Sequence, residues 1–269
     1  MVIQDEMAFS FHMTTLTQDA PTQHRLSPDQ VKQFHEEGYL APLTACPPEQ
    51  MEAYRNHIET VLMQTEGIGG HSNLHNRHLD DRTMWELSTL PAIIGPMQSV
   101  LGEDLLMWRT NFFNKEPGGK EIPWHQDRNY WPLEPEIVIS AWLAIDRADT
   151  ENSCVQVVPG THKKLIKHVK IIEEERDKKT FAEEAVTDTI DLSKKRDIIL
   201  EPGQFILFNE RTLHHSNANL SNRRRLGLAI RVIIPQVRVT KFDSEQHVLF
   251  QISGRDPLGF NSIGQPPLG

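Results

Sequence analysis

Cysteine is scarce in this chain of 269 residues, which contains only Cys46 and Cys154. Two distant cysteines cannot build the disulfide framework of a small secreted domain, and they cannot complete a cysteine-rich zinc site. The first fifteen residues also lack the basic patch and apolar run of a secretory signal. We therefore expect a reducing compartment, the cytoplasm.

The chain also has few basic residues relative to acidic ones, and it has no long apolar run. The chain has 28 lysines and arginines against 37 acidic residues, for a formal net charge of -9. Nucleic-acid-binding domains normally carry a basic stripe, so we expect no nucleic-acid partner. No stretch approaches the roughly 18 apolar residues of a transmembrane helix, so we expect no membrane partner. A small-molecule pocket is not excluded, because its local field can oppose the global charge.

Helix signals are concentrated in the first half of the chain. Ser27 is a good N-cap, Pro28 suits the first helical position, and Gln30 completes a capping box. Gly38 is a suitable residue for the end of that helix. Apolar residues at helical spacing indicate two further helices. The predicted elements are helices over 28–37, 47–67 and 90–101, and a short strand over 39–43.

Short β-type runs separated by Gly, Pro and Asn dominate the chain from Leu105 onward, which favours a sandwich or barrel. Residues 137–145 are nearly all apolar, as in a strand covered on both faces. We predict a partly ordered arm over 1–25 and a single domain over 26–269. A charged stretch around 170–196 is predicted to be a helical or loop-like insertion with a solvated acidic face. The predicted strands are 105–114, 122–127, 137–145, 154–158, 197–201, 204–208 and 226–234.

A candidate pair of metal ligands lies in Trp124-His125-Gln126-Asp127. Side chains two apart on an extended chain point the same way, so His125 and Asp127 can face one metal ion. On this stretch alone, a surface His–Asp pair is equally plausible. A second such spacing, His78 and Asp80, lies in a polar loop with His71 and His75, for which we favour a loop role over a substrate contact.

The remaining ligand must come from a distant strand. A turn at Pro202-Gly203 and an apolar run lead to His214 and His215, which face opposite sides of an extended chain. Only one of the two is therefore expected to bind the metal. Arg225, eleven positions after His214, could hold a carboxylate bidentately, and Arg223, Arg224 and Arg231 compete for that role on charge alone.

Two histidines and one carboxylate leave three positions open on an octahedral metal, as in the facial triad of non-haem Fe(II) oxygenases. Zinc also accepts this set and could then support a hydrolysis. The arginine favours the oxygenase, because an oxygenase of this type needs a cationic clamp for its oxo-acid co-substrate. A zinc-dependent hydrolase and a non-catalytic, cupin-like binder of small molecules remain the alternatives.

Several motifs follow one another in a characteristic order between residues 26 and 238. They are His78-Leu79-Asp80-Asp81, Asn111-Phe112-Phe113-Asn114-Lys115-Glu116-Pro117-Gly118, Trp124-His125-Gln126-Asp127, Tyr130-Trp131, Ser140-Ala141-Trp142-Leu143-Ala144, Val158-Pro159-Gly160-Thr161-His162-Lys163, and His214-His215-Ser216 with Asn219, Ser221, Arg225, Gly227 and Arg231. With them the chain resembles the phytanoyl-CoA dioxygenase family of Fe(II)- and 2-oxoglutarate-dependent oxygenases, particularly its bacterial members. The family commonly has glycine in place of His215 and of Ser153.

The resemblance implies a mainly β fold with flanking α-helices, a double-stranded β-helix (jelly roll, cupin-like), and a helix opening near His78. It implies Fe(II), 2-oxoglutarate and dioxygen as cofactor and co-substrates, with release of succinate and carbon dioxide. Related halogenating enzymes have a small residue in place of the carboxylate ligand, so hydroxylation is expected here. The implied site residues are His125, Asp127 and His214 for iron, Arg225 for the C5 carboxylate of 2-oxoglutarate, and Ser221 or Asn111 in support.

The substrate is expected to be a small molecule that contacts Arg128, Tyr130 and Trp131, which follow the ligand pair. A CoA thioester would call for a basic groove, and the net charge of -9 argues against one. A small amine, amino acid, phosphonate or natural-product intermediate is favoured. The protein is expected to be a monomer or homodimer.

Overall fold

Two antiparallel β-sheets organise the computed structural model, which describes residues 24–67, 74–242 and 245–268. The α-helices are α1 (Pro28–Glu37), α2 (Pro48–Thr60), α3 (Arg82–Ser88), α4 (Pro91–Leu101) and α5 (Glu173–Arg176). The strands are β1 (Tyr39–Thr44), β2 (Leu105–Lys115), β3 (Ile122–His125), β4 (Leu133–Glu134), β5 (Ile139–Ala144), β6 (Val155–Val157), β7 (His168–Lys170), β8 (Glu183–Ala185), β9 (Arg196–Ile198), β10 (Gln204–Asn209), β11 (His214–Ser216), β12 (Arg225–Ile233), β13 (Arg238–Val239) and β14 (Phe250–Ser253).

The larger sheet has six strands in the order β1-β10-β5-β12-β2-β14, and the smaller has four in the order β3-β11-β6-β9. Short two-stranded ribbons join β13 to β4 and β7 to β8. Buried side chains of both sheets form one apolar cluster, in which Trp142 and Ile206 of the larger sheet accompany Val155 of the smaller. Two sheets packed face to face in this way confirm the predicted jelly roll with flanking helices.

Strand β12 runs through the middle of the larger sheet and is buried on both faces. Because strand side chains alternate, its two faces differ in chemistry. Leu226, Leu228 and Ile230 belong to the core that also contains the buried residues of the helices. Arg225 and Arg231 point the other way, into the space between the sheets. The strand thus anchors the sheet to the helices and presents two cations to the interior.

The helix caps in the first half of the chain agree closely with those predicted from the sequence. The amide of Gln30 donates to Ser27 Oγ (3.2 Å) and the amide of Ser27 to Gln30 Oε1 (2.9 Å), so the predicted capping box is present. Gly38 ends α1 with φ of 84°, a left-handed conformation that glycine adopts readily. The second predicted helix is shorter than expected, because α2 ends at Thr60. No helix in the described ranges is long and apolar enough to span a membrane.

Helix α3 is absent from the prediction based on periodicity, although the family resemblance implies a helix here. Its seven residues are too few to show a helical repeat. The signal is instead Asp81, whose Oδ1 accepts the amide of Met84 at 2.8 Å and caps the helix. His71 and nearly all of the predicted arm over 1–25 lie outside the described residues.

The charged insertion around 170–196 differs from the prediction of a solvated helix or loop. It contains α5 and a 3-10 turn (Leu192–Lys194), and β7 and β8 pair as an antiparallel ribbon. Between them, Phe181 lies edge-on against the ring of His125, with ring centroids 4.9 Å apart. The insertion is therefore a cover over the candidate site. Its strands β7 and β8 have only three residues each, too few to show the alternation that predicts a strand.

Truncation of Leu228 should measure how much the face of β12 toward the helices contributes to stability. Leu228 is 0% exposed, so Leu228→Ala should lower the free energy of unfolding by about 2–5 kcal/mol. The matched control is Leu220→Ala at a leucine that is 89% exposed, which should change it by less than about 0.5 kcal/mol. Urea denaturation followed by circular dichroism compares the two, and equal effects would contradict this arrangement of the core.

Candidate metal centre

Strands β3 and β11 bring the two candidate histidines together. They pair in a register that sets His214 directly opposite His125, with ring centroids 4.0 Å apart. Asp127 begins a 3-10 turn (Asp127–Tyr130) just after β3. Its Oδ1 lies 3.4 Å from Nε2 of His125 and 4.0 Å from Nε2 of His214. One possible ligand atom from each of the three residues lies within 4.8 Å of the others, a spacing that suits one metal ion.

Backbone carbonyls orient both imidazoles. Nδ1 of His125 lies 2.8 Å from the carbonyl of Pro123, and Nδ1 of His214 lies 2.9 Å from the carbonyl of Thr212. A histidine that donates Nδ1–H to a carbonyl leaves the lone pair of Nε2 free for a metal. Each imidazole therefore presents Nε2 to Asp127, the tautomer that a metal site requires.

The protonation states of His214 and Asp127 also favour the binding of a metal cation at this centre. Burial and the neighbouring His125 lower the pKa of His214 to about 4, so its imidazole is neutral at pH 7. Burial opposes ionisation of Asp127, but His125, His214 and Arg231 outweigh it and hold the pKa of that carboxyl below its usual range. Two neutral imidazoles and one carboxylate are the forms in which these side chains bind metals.

The side chain of His215 lies on the opposite face of β11, where it packs against neighbouring residues. Its ring nitrogens are within hydrogen-bonding distance of the carbonyl of Ile122 (2.9 Å) and Oδ1 of Asn217 (3.1 Å). Its ring stacks on Trp124 with centroids 4.7 Å apart. Of the two adjacent histidines, the structure thus places His214 with the other candidate ligands.

Arg225 lines the same cavity as the three candidate ligands and is only 1% exposed. Its Nη1 donates to the carbonyl of Ser153 at 3.0 Å, and its guanidinium lies 5.1 Å from the ring centroid of Trp142. Its Nε has no hydrogen-bond partner, and no described carboxylate forms an ion pair with it. Burial lowers the pKa of Arg225 to about 10, which still leaves it charged at pH 7. A buried arginine in this state requires an anionic partner.

Two residues that were not predicted from the sequence support Arg225. Lys115 is its cross-strand neighbour, and the Lys115 Nζ donates to Ser216 Oγ at 2.8 Å and Ser153 Oγ at 3.0 Å. Burial and the charge of Arg225 lower the pKa of Lys115 to about 6, so that Arg225 remains the charged member of the pair. Ser216 lines the cavity, and only its position two residues after His214 could have pointed to it.

Ser153 departs from the glycine common in the family, and the structure shows why glycine suits this position. Its φ is 75°, in the left-handed region where a residue with a side chain is strained, typically by about 1–3 kcal/mol. The same backbone geometry aims the carbonyl of Ser153 at Arg225. The hydroxyl that glycine would lack donates to the carbonyl of Asn217 and accepts from Lys115.

Arg231 is a further cation beside the candidate centre. Its Nη2 lies 4.0 Å from Asp127 Oδ2, and its Nη1 donates to Asn111 Oδ1 at 3.1 Å. The ring of Trp131 lies over its guanidinium at 5.0 Å. The sequence left Arg231 among the competitors for the carboxylate of the co-substrate. The structure places it near Asp127, one of the candidate metal ligands.

An open cavity of about 490 Å³ adjoins the candidate centre and receives some of the predicted contact residues. Tyr130, Trp131 and Asn111 line it. Arg128 instead pairs with Glu136, and its amide donates to the carbonyl of Glu210. Ser221 is held in a turn, where its hydroxyl donates to Asn219 Oδ1 at 2.8 Å. The structure thus brings Tyr130, Trp131 and Asn111 to this cavity, and Arg128 and Ser221 are not part of its lining.

Within the described ranges, the second His-x-Asp spacing contributes to no cluster of possible metal ligands. His78 is fully buried and its Nδ1 lies 2.9 Å from Thr110 Oγ1, while Asp80 pairs with Arg77. The sequence favoured a loop role for this stretch, and the structure places His78 in a 3-10 turn (Arg77–Leu79). His75, from the same histidine-rich loop, lines the open cavity.

Comparison with known proteins decides the family. The family model for phytanoyl-CoA dioxygenase (PhyH) matches residues 34–227. The chain belongs to the phytanoyl-CoA dioxygenase family. Human peroxisomal phytanoyl-CoA dioxygenase is 25% identical over 229 residues, which cover 76% of this chain and 67% of the human protein.

Solved structures agree with this assignment. The non-haem monooxygenase ThoJ, in its apo form, superposes with a TM-score of 0.76 at 25% identity and covers 89% of this chain and 88% of its own. CytC3 with Fe(II) and alpha-ketoglutarate superposes with a TM-score of 0.72 at 25% identity, covering 91% and 95%. The predicted class, a non-haem iron oxygenase that depends on 2-oxoglutarate and acts on a small molecule, is confirmed.

Substitution of the adjacent histidines of β11 separates the candidate ligand from the packing residue. His214→Ala should weaken Fe(II) binding by more than about 100-fold, beyond the 10–100-fold typical of losing an outer-shell partner. His215→Ala, the matched control one residue away, should keep the affinity within a few-fold because its ring nitrogens face other groups. Anaerobic equilibrium dialysis measures both, after circular dichroism has confirmed folding. A larger loss in His215→Ala would contradict the assignment.

Proposed function

We propose that His125, Asp127 and His214 hold Fe(II) and that Arg225 holds 2-oxoglutarate, so that this enzyme oxidises a C–H bond of a small organic molecule. The observation that carries the proposal is the buried guanidinium of Arg225, which forms no ion pair with a described carboxylate and lines the cavity that also contains the three metal-ligand candidates. A dicarboxylate between the two would neutralise Arg225 with one end and reach the metal with the other.

The residues present fit the metal. Two histidines and one carboxylate, with no cysteine among them, form the ligand set of non-haem Fe(II) oxygenases and leave three positions open. The hydrogen bonds from Nδ1 to backbone carbonyls preset the imidazoles before the metal arrives. Asp127 also supports hydroxylation over halogenation, because related halogenating enzymes have a small residue at this position.

The residues present also fit the co-substrate. A guanidinium can bind a carboxylate through two parallel N–H···O bonds, and the ring of Trp142 and the carbonyl of Ser153 hold Arg225 in place for this. Ser216, which accepts from Lys115, offers a hydroxyl in the same cavity. The site therefore combines a fixed charge with a polar group for the distal carboxylate of 2-oxoglutarate.

Bound Fe(II), 2-oxoglutarate and dioxygen supply the oxidising chemistry, with release of succinate and carbon dioxide. The contribution of the chain is geometry and the exclusion of water. Phe181 packs on the edge of His125, and the Phe181 and Tyr130 rings lie 5.4 Å apart as one wall of the cavity. Tyr130 OH donates to the carbonyl of Glu183 at 3.3 Å, which ties the insertion to the turn that carries Asp127.

The alternative functions do not account for Arg225. A zinc-dependent hydrolase needs the His-Asp-His set but no buried cation. A cupin-like binder needs neither a complete His-Asp-His set nor a buried cation. We also propose that the enzyme acts in the cytoplasm as a monomer or homodimer. The cytoplasmic location is supported by Cys46 and Cys154, which are both free thiols and buried.

The reaction itself is tested with a panel of small organic acids, amines, amino acids and phosphonates in the presence of Fe(II), 2-oxoglutarate and dioxygen. The expected result is substrate-dependent formation of succinate, matched by a product heavier by one oxygen atom. Hydrolysis of a panel member by the zinc-loaded protein, without succinate, would instead establish the hydrolase.

Arg225→Ala should weaken 2-oxoglutarate binding by at least about 30-fold, because truncation of one partner of a buried charge pair costs about 2–5 kcal/mol. Fe(II) binding should survive, since Arg225 is not a metal ligand. Arg223→Ala is the matched control two residues away, where the arginine pairs with Asp149 and Glu151 at the surface and little is lost.

Anaerobic calorimetric titration of the Fe(II)-loaded variants with 2-oxoglutarate measures the 2-oxoglutarate affinity of each variant. An unchanged affinity in Arg225→Ala would show that another residue holds the co-substrate.

A further inference from the structure

A buried lysine lies beside Arg225 and faces the same open cavity. Lys115 is 5% exposed, stands directly opposite Arg225 in the pairing of β2 with β12, and lines that cavity with it. We propose that Lys115 is a second cation for 2-oxoglutarate, and that it takes up a proton from solvent only when the co-substrate binds. The inference rests on the proposed function, because it assumes that Arg225 holds the distal carboxylate.

Three oxygen atoms lie within 3.0 Å of the Lys115 amine, in an arrangement that suits an ammonium. Nζ is 2.6 Å from the carbonyl of Asn217, 2.8 Å from Ser216 Oγ and 3.0 Å from Ser153 Oγ. An ammonium has three hydrogens and can donate to all three oxygens. A neutral amine has two and leaves one oxygen without a hydrogen from the lysine. The surrounding groups are therefore arranged for the charged form of Lys115.

Arg225 opposes that charged form unless an anion lies nearby. Two like charges directly opposite each other destabilise a sheet, and burial makes the cost larger. Burial and Arg225 lower the pKa of Lys115 to about 6, while the charge of Glu121, just before β3, acts in the other direction. His215 on β11 adds no positive charge at pH 7, because burial lowers its pKa to about 3. Without an anion, Lys115 is therefore mostly neutral at pH 7.

A carboxylate bound to Arg225 would reverse this balance. Its negative charge would offset the guanidinium, and an opposite charge within a few ångströms favours the protonated form of a lysine. Ser216 lines the cavity with Arg225 and lies against the Lys115 amine, so it connects the ammonium to the bound carboxylate. The pKa of Lys115 should therefore rise from about 6 toward its ordinary value, with one proton entering from solvent.

Ser153 contacts both cations, and it is a position at which this chain departs from its family. Its carbonyl accepts from Arg225 Nη1 at 3.0 Å, and its hydroxyl oxygen accepts from Lys115. The Ser153 hydroxyl itself donates to the carbonyl of Asn217, so its oxygen can only accept from the amine. The glycine common in the family would remove one of the three acceptors. Ser153 thus stabilises the ammonium form in this chain.

A purely structural role is the alternative for Lys115. The amine ties β2 to Ser216 and Asn217, at the end of β11, whatever its charge. That role requires no proton from solvent when 2-oxoglutarate binds. It also predicts an affinity that does not vary with pH near neutrality, because both carboxyl groups of 2-oxoglutarate are already ionised there. Proton uptake therefore separates the two roles.

The experiment is anaerobic calorimetry on Fe(II)-loaded protein titrated with 2-oxoglutarate at about pH 7.5, in HEPES and in Tris. These buffers differ in their enthalpy of ionisation, so the difference in heat gives the number of protons taken up. The unaltered protein should take up about one proton per 2-oxoglutarate, and Lys115→Met less than about 0.2. Lys120→Met is the matched control, because Lys120 lines the same cavity but is exposed, and it should keep the uptake.

A pH series on the unaltered protein provides a second measurement that needs no variant. Uptake of one proton corresponds to a tenfold loss of affinity per pH unit, so the Kd for 2-oxoglutarate should rise about 10-fold or more between about pH 6.5 and 8.5. In Lys115→Met it should change less than about 2-fold. If circular dichroism shows that Lys115→Met does not fold, Ser153→Gly replaces it, since glycine suits the φ of 75° at this position. Loss of one acceptor should then lower both the proton uptake and the affinity.

The outcomes separate this inference from the proposed function. Buffer-independent heats in the unaltered protein overturn the inference while 2-oxoglutarate binds normally. Uptake retained in Lys115→Met, or lost equally in Lys120→Met, overturns it as well, and so does an unchanged Ser153→Gly where that variant is used. Failure of the unaltered protein to bind 2-oxoglutarate overturns the proposed function itself and, with it, the inference.

Discussion

The pairing of β11 with β3 is the interaction on which the candidate site depends. It sets His214 opposite His125 and leaves His215 on the other face, against Trp124. A slip of one residue would reverse these faces, because strand side chains alternate, and would remove one of three candidate ligands. The register is maintained from both sides, since β11 also pairs with β6, whose Val155 and Val157 belong to the apolar cluster between the sheets. Packing far from the metal thereby determines the chemistry of the site.

The larger sheet contributes the complementary element, a row of cations on its inner face. Arg225 opposite Lys115 places like charges side by side in a buried region, an arrangement that is unfavourable in the protein alone. The chain reduces this cost by lowering the pKa of Lys115 to about 6 and by stacking the arginines on indole rings. The remaining charge is available for anionic ligands. Stability and binding are therefore in tension along β12.

Local signals in the sequence were sufficient for the capping box at Ser27, the stop at Gly38 and the buried strand β5, because each depends on neighbouring residues. The ligand pair and Arg225 were identified by spacing and by resemblance to the family. The pairing of strands that are distant in the sequence could not be predicted from these local signals. It decides between His214 and His215 and brings Arg231 to Asp127. The cover formed by the charged insertion was missed for a similar reason, since Phe181 acquires its role only through contact with a distant strand.

The most direct test of the account is a crystal structure of the protein prepared anaerobically with Fe(II) and 2-oxoglutarate, with anomalous data collected at the iron edge. The account predicts one anomalous peak between His125, Asp127 and His214, and 2-oxoglutarate bound to that iron with its distal carboxylate paired to Arg225. Iron coordinated by other residues, or a distal carboxylate paired with a different cation, would contradict it.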